Sequence, residues 1–438
     1  MKTLTQATSL LFAMAITTSA IAGEIIVVDG VKFATISAAI SSLPPAGGMV
    51  VIPPGTYVLK PAESIVIDKP NVTLAGSGAG TIIVKAPRNP SIAWQDVIID
   101  IKAEGARVTN LQLQGRASKF PAAQETGIHI VFPATGATVD HVLFSGTSPA
   151  EGLNAGISVD STGGGTVTGA DSHDNRLRNI IGTGDKDGLG YGILLNGDLS
   201  TVHSNTVTFS DGNGRHCIYN AVGSYNIISS NHCSGGERES IVVISFAGQT
   251  PSDYNRIENN VVKDVRINGA VGTALDNQAA ISIEQYARFN HVSGNTIDNV
   301  GMHGIWVSNN DGAGAANSPE GNVIENNLIS RAFNSGIMLH AANNTTVIGN
   351  VIRDANQQPT GGFDGSALDL RNSSTFLNPS GNRVISNSIS DSAHKIAFSL
   401  NIGGGCVATK VTGNVFEAGH LGVISDQGTG TLFGPNIN

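Results

Sequence analysis

Charge is scarce in this chain. Of its 438 residues only 13% are Asp, Glu, Lys or Arg, and aromatics make up 5%. With 25 Lys plus Arg, a net charge of −9 and no basic stripe, the composition gives no support to nucleic-acid binding. The same mild acidity counts against a strongly anionic ligand unless a local basic patch overrides it. Beyond the N-terminus no apolar run is long enough to cross a bilayer. Three cysteines, Cys217, Cys233 and Cys406, cannot all pair within one chain. Disorder is excluded by 40% hydrophobic residues, and collagen by 54 glycines that follow no three-residue period. What is abundant is Gly, Asn, Ser, Val and Ile, a mixture suited to short strands joined by many tight turns.

Residues 1–22 read as a signal peptide. Lys2 supplies the positive start, Leu10 to Ile16 the apolar stretch, and Ala20-Ile21-Ala22 a small-x-small cleavage site before Gly23. The expected mature chain, 23–438, is one exported domain, secreted or periplasmic and not membrane-inserted, with 23–60 forming its cap and first coil.

Two recurring phrases govern the rest. The first is a short alternating strand, opened mostly by a small residue, as at Gly127, Gly156, Gly192, His216, Ser240, Ala280, Gly304, Gly336 and Ala367. The second is Val/Ile-x-x-Asn-x-Ile/Val, with asparagines at 205, 231, 260, 295, 327, 350, 387 and 414, spaced by 23 to 37 residues. The shortest intervals hold two or three short strands and their turns; the longer ones carry loops around 265–278, 309–320 and 355–366. No interval carries a convincing amphipathic helix, which argues against a βαβ fold. A repeat recurring in one orientation stacks parallel strands about 4.8 Å apart. Its asparagines then fall above one another as a structural ladder, bonding along the stack and tolerating a left-handed turn. Near the N-terminus, Phe33 to Leu43 has helical periodicity and suits a cap over the open end of the stack.

The entry phrase, from Phe33 through Met49–Tyr57 to Val72–Gly78, resembles the first coils of the pectate-lyase-like superfamily. The resemblance extends over roughly 24–438 and implies an all-β, single-stranded, right-handed parallel β-helix of about 11–12 coils. That group includes polysaccharide lyases, glycoside hydrolases, uronate epimerases and phage tailspikes. It implies an active site on an exposed strand face and a polysaccharide as the partner, without choosing among the chemistries.

Side chains of a strand alternate in and out. Two columns should face water. One holds His129, Ser158, Leu194, Ile218, Val242, Ser282, Trp306, Met338 and Asp369. The other holds Asp160, Asn196, Asn220, Ile244, Glu284, Ser308, His340 and Arg371. By the same register Cys217, Tyr219 and Cys233 point inward as core residues. Tyr191, Arg215 and Glu239 stack in successive coils, flanked by His216 and Arg238. A chain this poor in basic residues has little reason to gather them there, because exposed ion pairs contribute only about 0–1 kcal/mol. A second stretch holds Glu284, His340 and Arg371, with Trp306 as a stacking platform for sugar and Asp369 beside it. Glu284 and His340, two coils apart, would be roughly 9–10 Å from one another.

Three functions fit these residues. Elimination next to a uronate carboxylate, in a lyase or related epimerase, needs a cation, a base and an acid. Arg215 or Arg238, His216 and Tyr191 supply them, with Glu239 orienting and Arg371 and His340 as the second set. Hydrolysis needs two carboxyl groups, from Glu239, Glu284 and Asp369. The paired-Asp and Gly-His-Gly signatures of polygalacturonases and the Asp-Pro-His signature of alginate epimerases are absent. A non-catalytic carbohydrate-binding protein would need only the coils. Asn196, Asn220, Trp306, Asp369 and Arg371 are expected to touch substrate. No cofactor is firmly implied and the site itself calls for no metal; Asp185 and Asp187 in a Gly-rich turn have weak Ca2+-loop character. Leu194, Ile218, Val242 and Ile244 form an outward apolar patch, to be covered by a loop or by a second copy of the chain.

Overall fold

A strand such as Thr201–His203 buries a single side chain, Val202, and leaves its backbone groups to be bonded elsewhere. Stacking identical coils meets both demands, because each rung bonds the next and each inward Val or Ile packs on its copies above and below. The computed structural model describes residues 23–87, 94–118, 123–148, 150–161, 165–181, 190–209, 214–236, 238–246, 248–265, 279–309, 318–356, 365–372, 378–392 and 394–437. The expected signal peptide, Asp185 and Asp187 lie outside these residues.

The chain forms a right-handed parallel β-helix. Sheet 1 has 15 strands, from Glu24–Val27 to Leu432–Phe433, and sheets 2 and 3 have 13 each. Sheet 2 runs from Ile65–Ile67 to Gly422–Asp426, and sheet 3 from Gly55–Leu59 to Val415–Phe416. Among the described residues the 15 rungs of sheet 1 and the 13 of sheets 2 and 3 exceed the 11–12 coils expected, because the first coils lack the Asn phrase used to find them. The helix Ile36–Ser42 starts at Thr35, whose hydroxyl accepts from the Ala38 N–H at 3.1 Å, and buries Ile36, Ala39 and Ile40. Among the described residues no helix is long and apolar enough to cross a membrane.

The asparagine ladder forms as the repeat predicts and runs further, from Asn175 to Asn436, at the bend from sheet 1 to sheet 3. Each amide oxygen accepts from the backbone N–H and the amide of the ladder Asn one coil earlier; Asn295 Oδ1 receives Asn260 N at 2.9 Å and Nδ2 at 3.0 Å. From Asn175 to Asn414 each amide nitrogen donates to a carbonyl of the earlier coil, as Asn295 does to Ile257 O at 2.9 Å. The left-handed residue is not the asparagine itself but the one before it, such as Ser204, Ser230, Asn259 or Gly294. A second ladder, Asn226–Asn255–Asn290–Asn322, lines the bend from sheet 2 to sheet 1. The residues before its members include Tyr225, Tyr254 and Phe289, left-handed, solvent-exposed and stacked ring on ring at 5.2 Å.

One coil departs from the expected register. Ile193 pairs with Ile218, Leu194 with Tyr219 and Leu195 with Asn220. Ile218 and Asn220 therefore point inward and are buried, while Tyr219 faces out. The reason lies at the opening position. Gly192 and Gly156 point inward there, and a Cβ would come within 2.8 Å of Val207 or 2.3 Å of Leu177 on sheet 3. In the slipped coil that position belongs to Cys217, opposite the small Cys233, and the two form a disulfide with Cα atoms 5.8 Å apart. They are thus inward, as expected, but bonded to each other; Cys406 remains a buried thiol.

Replacing Asn295 by Ala removes one acceptor and one donor and strands two buried backbone groups of the preceding coil, the Asn260 N–H and the Ile257 carbonyl. Each such orphan costs about 1–3 kcal/mol. The expected loss is roughly 3 kcal/mol or more, whereas the exposed neighbour Thr296→Ala should stay within about 0.5 kcal/mol. Urea denaturation of the two variants checks this; equal midpoints would contradict it.

Candidate functional site

The corrected register brings the first group of candidates into one cluster on the outer face of sheet 2. Tyr191 pairs with His216, and His216 lies one rung below Glu239. It is His216, not Arg215, that stands in the column between Tyr191 and Glu239. The Tyr191 and His216 rings stack at 5.5 Å, and Tyr219 packs at 5.1 Å from Tyr191 and 4.9 Å from His216. Arg215 and Arg238 border the group. Arg215, His216 and Glu239 are buried, whereas Tyr191, Tyr219 and Arg238 are half-buried and form the side toward solvent.

His216 Nδ1 lies 2.7 Å from the backbone carbonyl of Glu239 and 3.6 Å from its Oε2. A carbonyl can only accept, so Nδ1 carries the proton and the lone pair is on Nε2. Burial, reinforced by Arg215 and Arg238, pushes the imidazole down to about 3, against a weaker opposing pull from the Glu239 carbonyl. Burial raises the Glu239 carboxyl to about 7, although Arg238 and Arg215 oppose it. The Tyr219 phenol is held well above its usual range, by burial first and then by Tyr191, Glu284 and Glu239. The cluster therefore contains a neutral imidazole, a phenol that keeps its proton, and a carboxyl poised near neutrality.

Glu284 joins the two groups of candidates. It lies close enough to raise Tyr219, and it accepts from Ser282 Oγ at 2.5 Å. One rung on is Ser308 and the next is His340, as the column predicts, with Ser308 Oγ and His340 Nδ1 3.2 Å apart. Asp369 is buried between Arg371 Nη2 at 2.6 Å and Asn401 Nδ2 at 2.9 Å, which commits its carboxylate to holding Arg371. Arg371 itself is half-exposed.

Three expected contacts are corrected. Trp306 stands on the outer face but is fully buried, packed between Ala279 and Met338, so no sugar can stack on it. Asn220 points inward, where its amide donates to Gly223 O at 3.1 Å and its carbonyl accepts from Asn226 at 3.4 Å. Of the apolar patch, Ile218 belongs to the main core. Val242 and Ile244 are outward but already buried within the chain, with Ala221 and Tyr219. Asn196 stays half-buried, and its amide reaches Ala221 O at 2.9 Å.

One residue was misplaced by the sequence reading, and another, placed outward as found, was not recognised as part of a cluster. Tyr219 was placed in the core by the one-residue slip; its flanking rungs, Leu194 and Val242, were the available signal. His129 lies between Asp100 at 3.2 Å and Asp160 at 3.7 Å on the same face, and the Asp100 hydrogen bond raises its pKa above the ordinary value.

The two shifted groups give opposite pH dependences. Glu239, raised above its unfolded value of 4.5, contributes stability that is full below that value and lost as pH rises through about 7. His216, depressed from 6.5, contributes stability that is present above 6.5 and lost as pH falls toward about 3. Between pH 5 and pH 8, Glu239→Gln should therefore lose less Tm than the wild type. Parallel Tm profiles in calorimetry would contradict the assignment.

No protein-family model matches the chain, and no curated protein matches it. Its fold is similar to several solved structures. The Dettilon tailspike protein superposes with a TM-score of 0.51 at 15% identity, over 87% of this chain and 62% of the tailspike. The chain thus spans less than two thirds of that protein's length. The receptor-binding domain of the Siphovirus 9NA tailspike gives 0.53 at 9% identity, over 95% and 77%. The A-module of the Azotobacter vinelandii mannuronan C-5 epimerase AlgE4 gives 0.47 at 15% identity, over 92% and 93%. What this chain shares with the two tailspikes is the fold, a right-handed parallel β-helix.

Proposed function

We propose that the chain is a carbohydrate-active enzyme, acting by elimination or epimerisation on a uronic-acid-containing polysaccharide at the Tyr191–His216–Tyr219 cluster. The observation that carries this is the orientation of His216: its Nδ1–H is fixed on a backbone carbonyl, so Nε2 is the basic atom, and two arginines border it. Arg215 or Arg238 neutralises the uronate carboxylate and so acidifies the adjacent C5–H. Burial is the main cause that holds His216 down; the same neutralisation removes the smaller arginine part and makes Nε2 a better base when substrate is present. Nε2 takes the C5 proton. The electron pair left on C5 forms the C4=C5 bond as the C4–O bond breaks, and a tyrosine hydroxyl protonates the departing oxygen. In epimerisation the proton returns to C5 from the opposite face instead. Tyr191 and Tyr219 are both at the half-exposed entrance, and the Tyr219 phenol keeps its proton, which leaves it available for the departing oxygen.

A second chemistry has its own support. Glu239, raised to about 7, matches a general acid, and Glu284 is the neighbouring carboxylate for hydrolysis. The Cys217–Cys233 disulfide supports the exported location expected from residues 1–22, because such bonds persist in oxidising compartments.

Incubation with a panel of uronate polymers separates these chemistries. Ultraviolet absorbance from unsaturated ends marks elimination, C5 inversion by NMR marks epimerisation, and reducing ends without absorbance mark hydrolysis. His216→Ala and Arg215→Ala should abolish turnover, and Tyr219→Phe should lower kcat by about 10²–10⁴-fold if it is the acid. All three should keep the wild-type circular dichroism. Wild-type turnover in His216→Ala would reject this site, and binding without turnover on every polymer would favour a carbohydrate-binding protein.

A further inference from the structure

Away from sheet 2, the outer face of sheet 1 carries an arrangement that the proposed reaction does not use. The strand Asp171–His173 places Asp171 and His173 two residues apart on one face, with Ser172 turned inward. The next rung sets His203 directly over His173. The imidazoles stack at 4.8 Å with planes 9° apart. One ligand atom from each of Asp171, His173 and His203 lies within 4.8 Å of the others. Asp171 Oδ2 is 3.2 Å from His173 Nδ1, and Asp171 Oδ1 is 3.6 Å from His203 Nε2.

We infer that Asp171, His173 and His203 form a binding site for a borderline divalent transition metal, of which Zn2+ is the best fit. The donor set chooses the class: two imidazole nitrogens suit Zn2+ and its neighbours, whereas Ca2+ and Mg2+ take oxygen ligands. The spacing agrees. Bonds of about 2.0–2.1 Å in a tetrahedral site put ligand atoms about 3.4 Å apart. Asp171 Oδ2 lies 3.2 Å from His173 Nδ1 and its Oδ1 3.6 Å from His203 Nε2, so the carboxylate already faces both imidazoles, and with one atom from each residue within 4.8 Å a side-chain rotation brings one oxygen and both nitrogens to that spacing.

Hydrogen bonding alone accounts poorly for the group. Asp171 Oδ1 and His173 Nδ1 are both shielded from water and have no hydrogen-bond partner among the described residues. His173 Nδ1 sits 3.2 Å from Asp171 Oδ2 without a hydrogen bond, and Asp171 Oδ1 sits 3.6 Å from His203 Nε2, too far for one; a shared cation explains both approaches. His203 is oriented for the same role. Its Nδ1 lies 3.2 Å from Ser204 Oγ, which leaves Nε2 directed at Asp171. The nearby Asp140 is not a fourth ligand, because its carboxylate is held by Arg107 at 2.7 and 2.8 Å and by Thr109. Three protein ligands with one negative charge leave a fourth position for water or an anionic group.

Isothermal titration of the tag-free, metal-stripped chain with ZnCl2 tests this, with Co2+ absorption in the visible as a report on geometry. The expected result is one Zn2+ per chain, and an affinity about 100-fold weaker or worse in His203→Ala and in the near-isosteric Asp171→Asn. His141→Ala, which alters the exposed neighbouring imidazole, should bind as wild type does. Circular dichroism without metal should match in all four proteins. No saturable binding, equal affinity in the ligand variants, or a preference for Ca2+ would each overturn the assignment.

Discussion

The structure depends on a buried amide that satisfies backbone at a bend. A chain that turns every few residues leaves N–H and C=O groups at its corners that no strand can bond. Burying such groups unpaired costs about as much as a lost hydrogen bond each. In this β-helix the asparagine at the bend from sheet 1 to sheet 3 answers that cost for its neighbour, accepting from one backbone N–H and donating to one carbonyl in the coil before. Repeated from Asn175 to Asn436, it locks the vertical register of the coils along that stretch. The left-handed residue placed just before it makes the corner sharp enough for the amide to face the stack.

Register is what builds the candidate site. Tyr191, His216 and Glu239 are far apart in sequence and are neighbours only because their coils are locked in phase. The disulfide between Cys217 and Cys233 contributes at this one place. Where other coils keep a glycine to clear a branched side chain, a cystine fills the gap and holds His216 beside the Glu239 carbonyl. A residue buried among rings and arginines then loses its ordinary basicity, while a carboxyl one rung away gains a proton at neutral pH. The same lateral stacking generates unrelated chemistry on sheet 1, where it sets His203 over His173.

Much of this was legible in the amino-acid order, and for definite reasons. The Asn phrase survives loops of any length because its hydrogen bonds are the same in every coil, so the ladder and the parallel stacking could be read without a structure. The column of Glu284, Ser308, His340 and Arg371 followed from strict alternation and stands as expected. Alternation fails where two successive residues both face inward, as Cys217 and Ile218 do at a strand opening. A period of two cannot register that event, which is why Tyr219 and Asn220 exchanged sides. Exposure was the other gap. Trp306 and Val242 lie on the outer face as predicted, yet neither meets water, because what covers an outer face is set by tertiary packing and not by strand phase.

The central claim is that the Tyr191–His216–Tyr219 cluster is where a uronate polymer is held and changed. A crystal structure of the His216→Ala variant with an oligouronate tests it most directly. The account predicts a sugar ring against Tyr191 and Tyr219, its carboxylate against Arg215 or Arg238, and C5 next to the space left by the imidazole. An oligosaccharide seated on another face, such as the exposed stack of Tyr225, Tyr254 and Phe289, would contradict it.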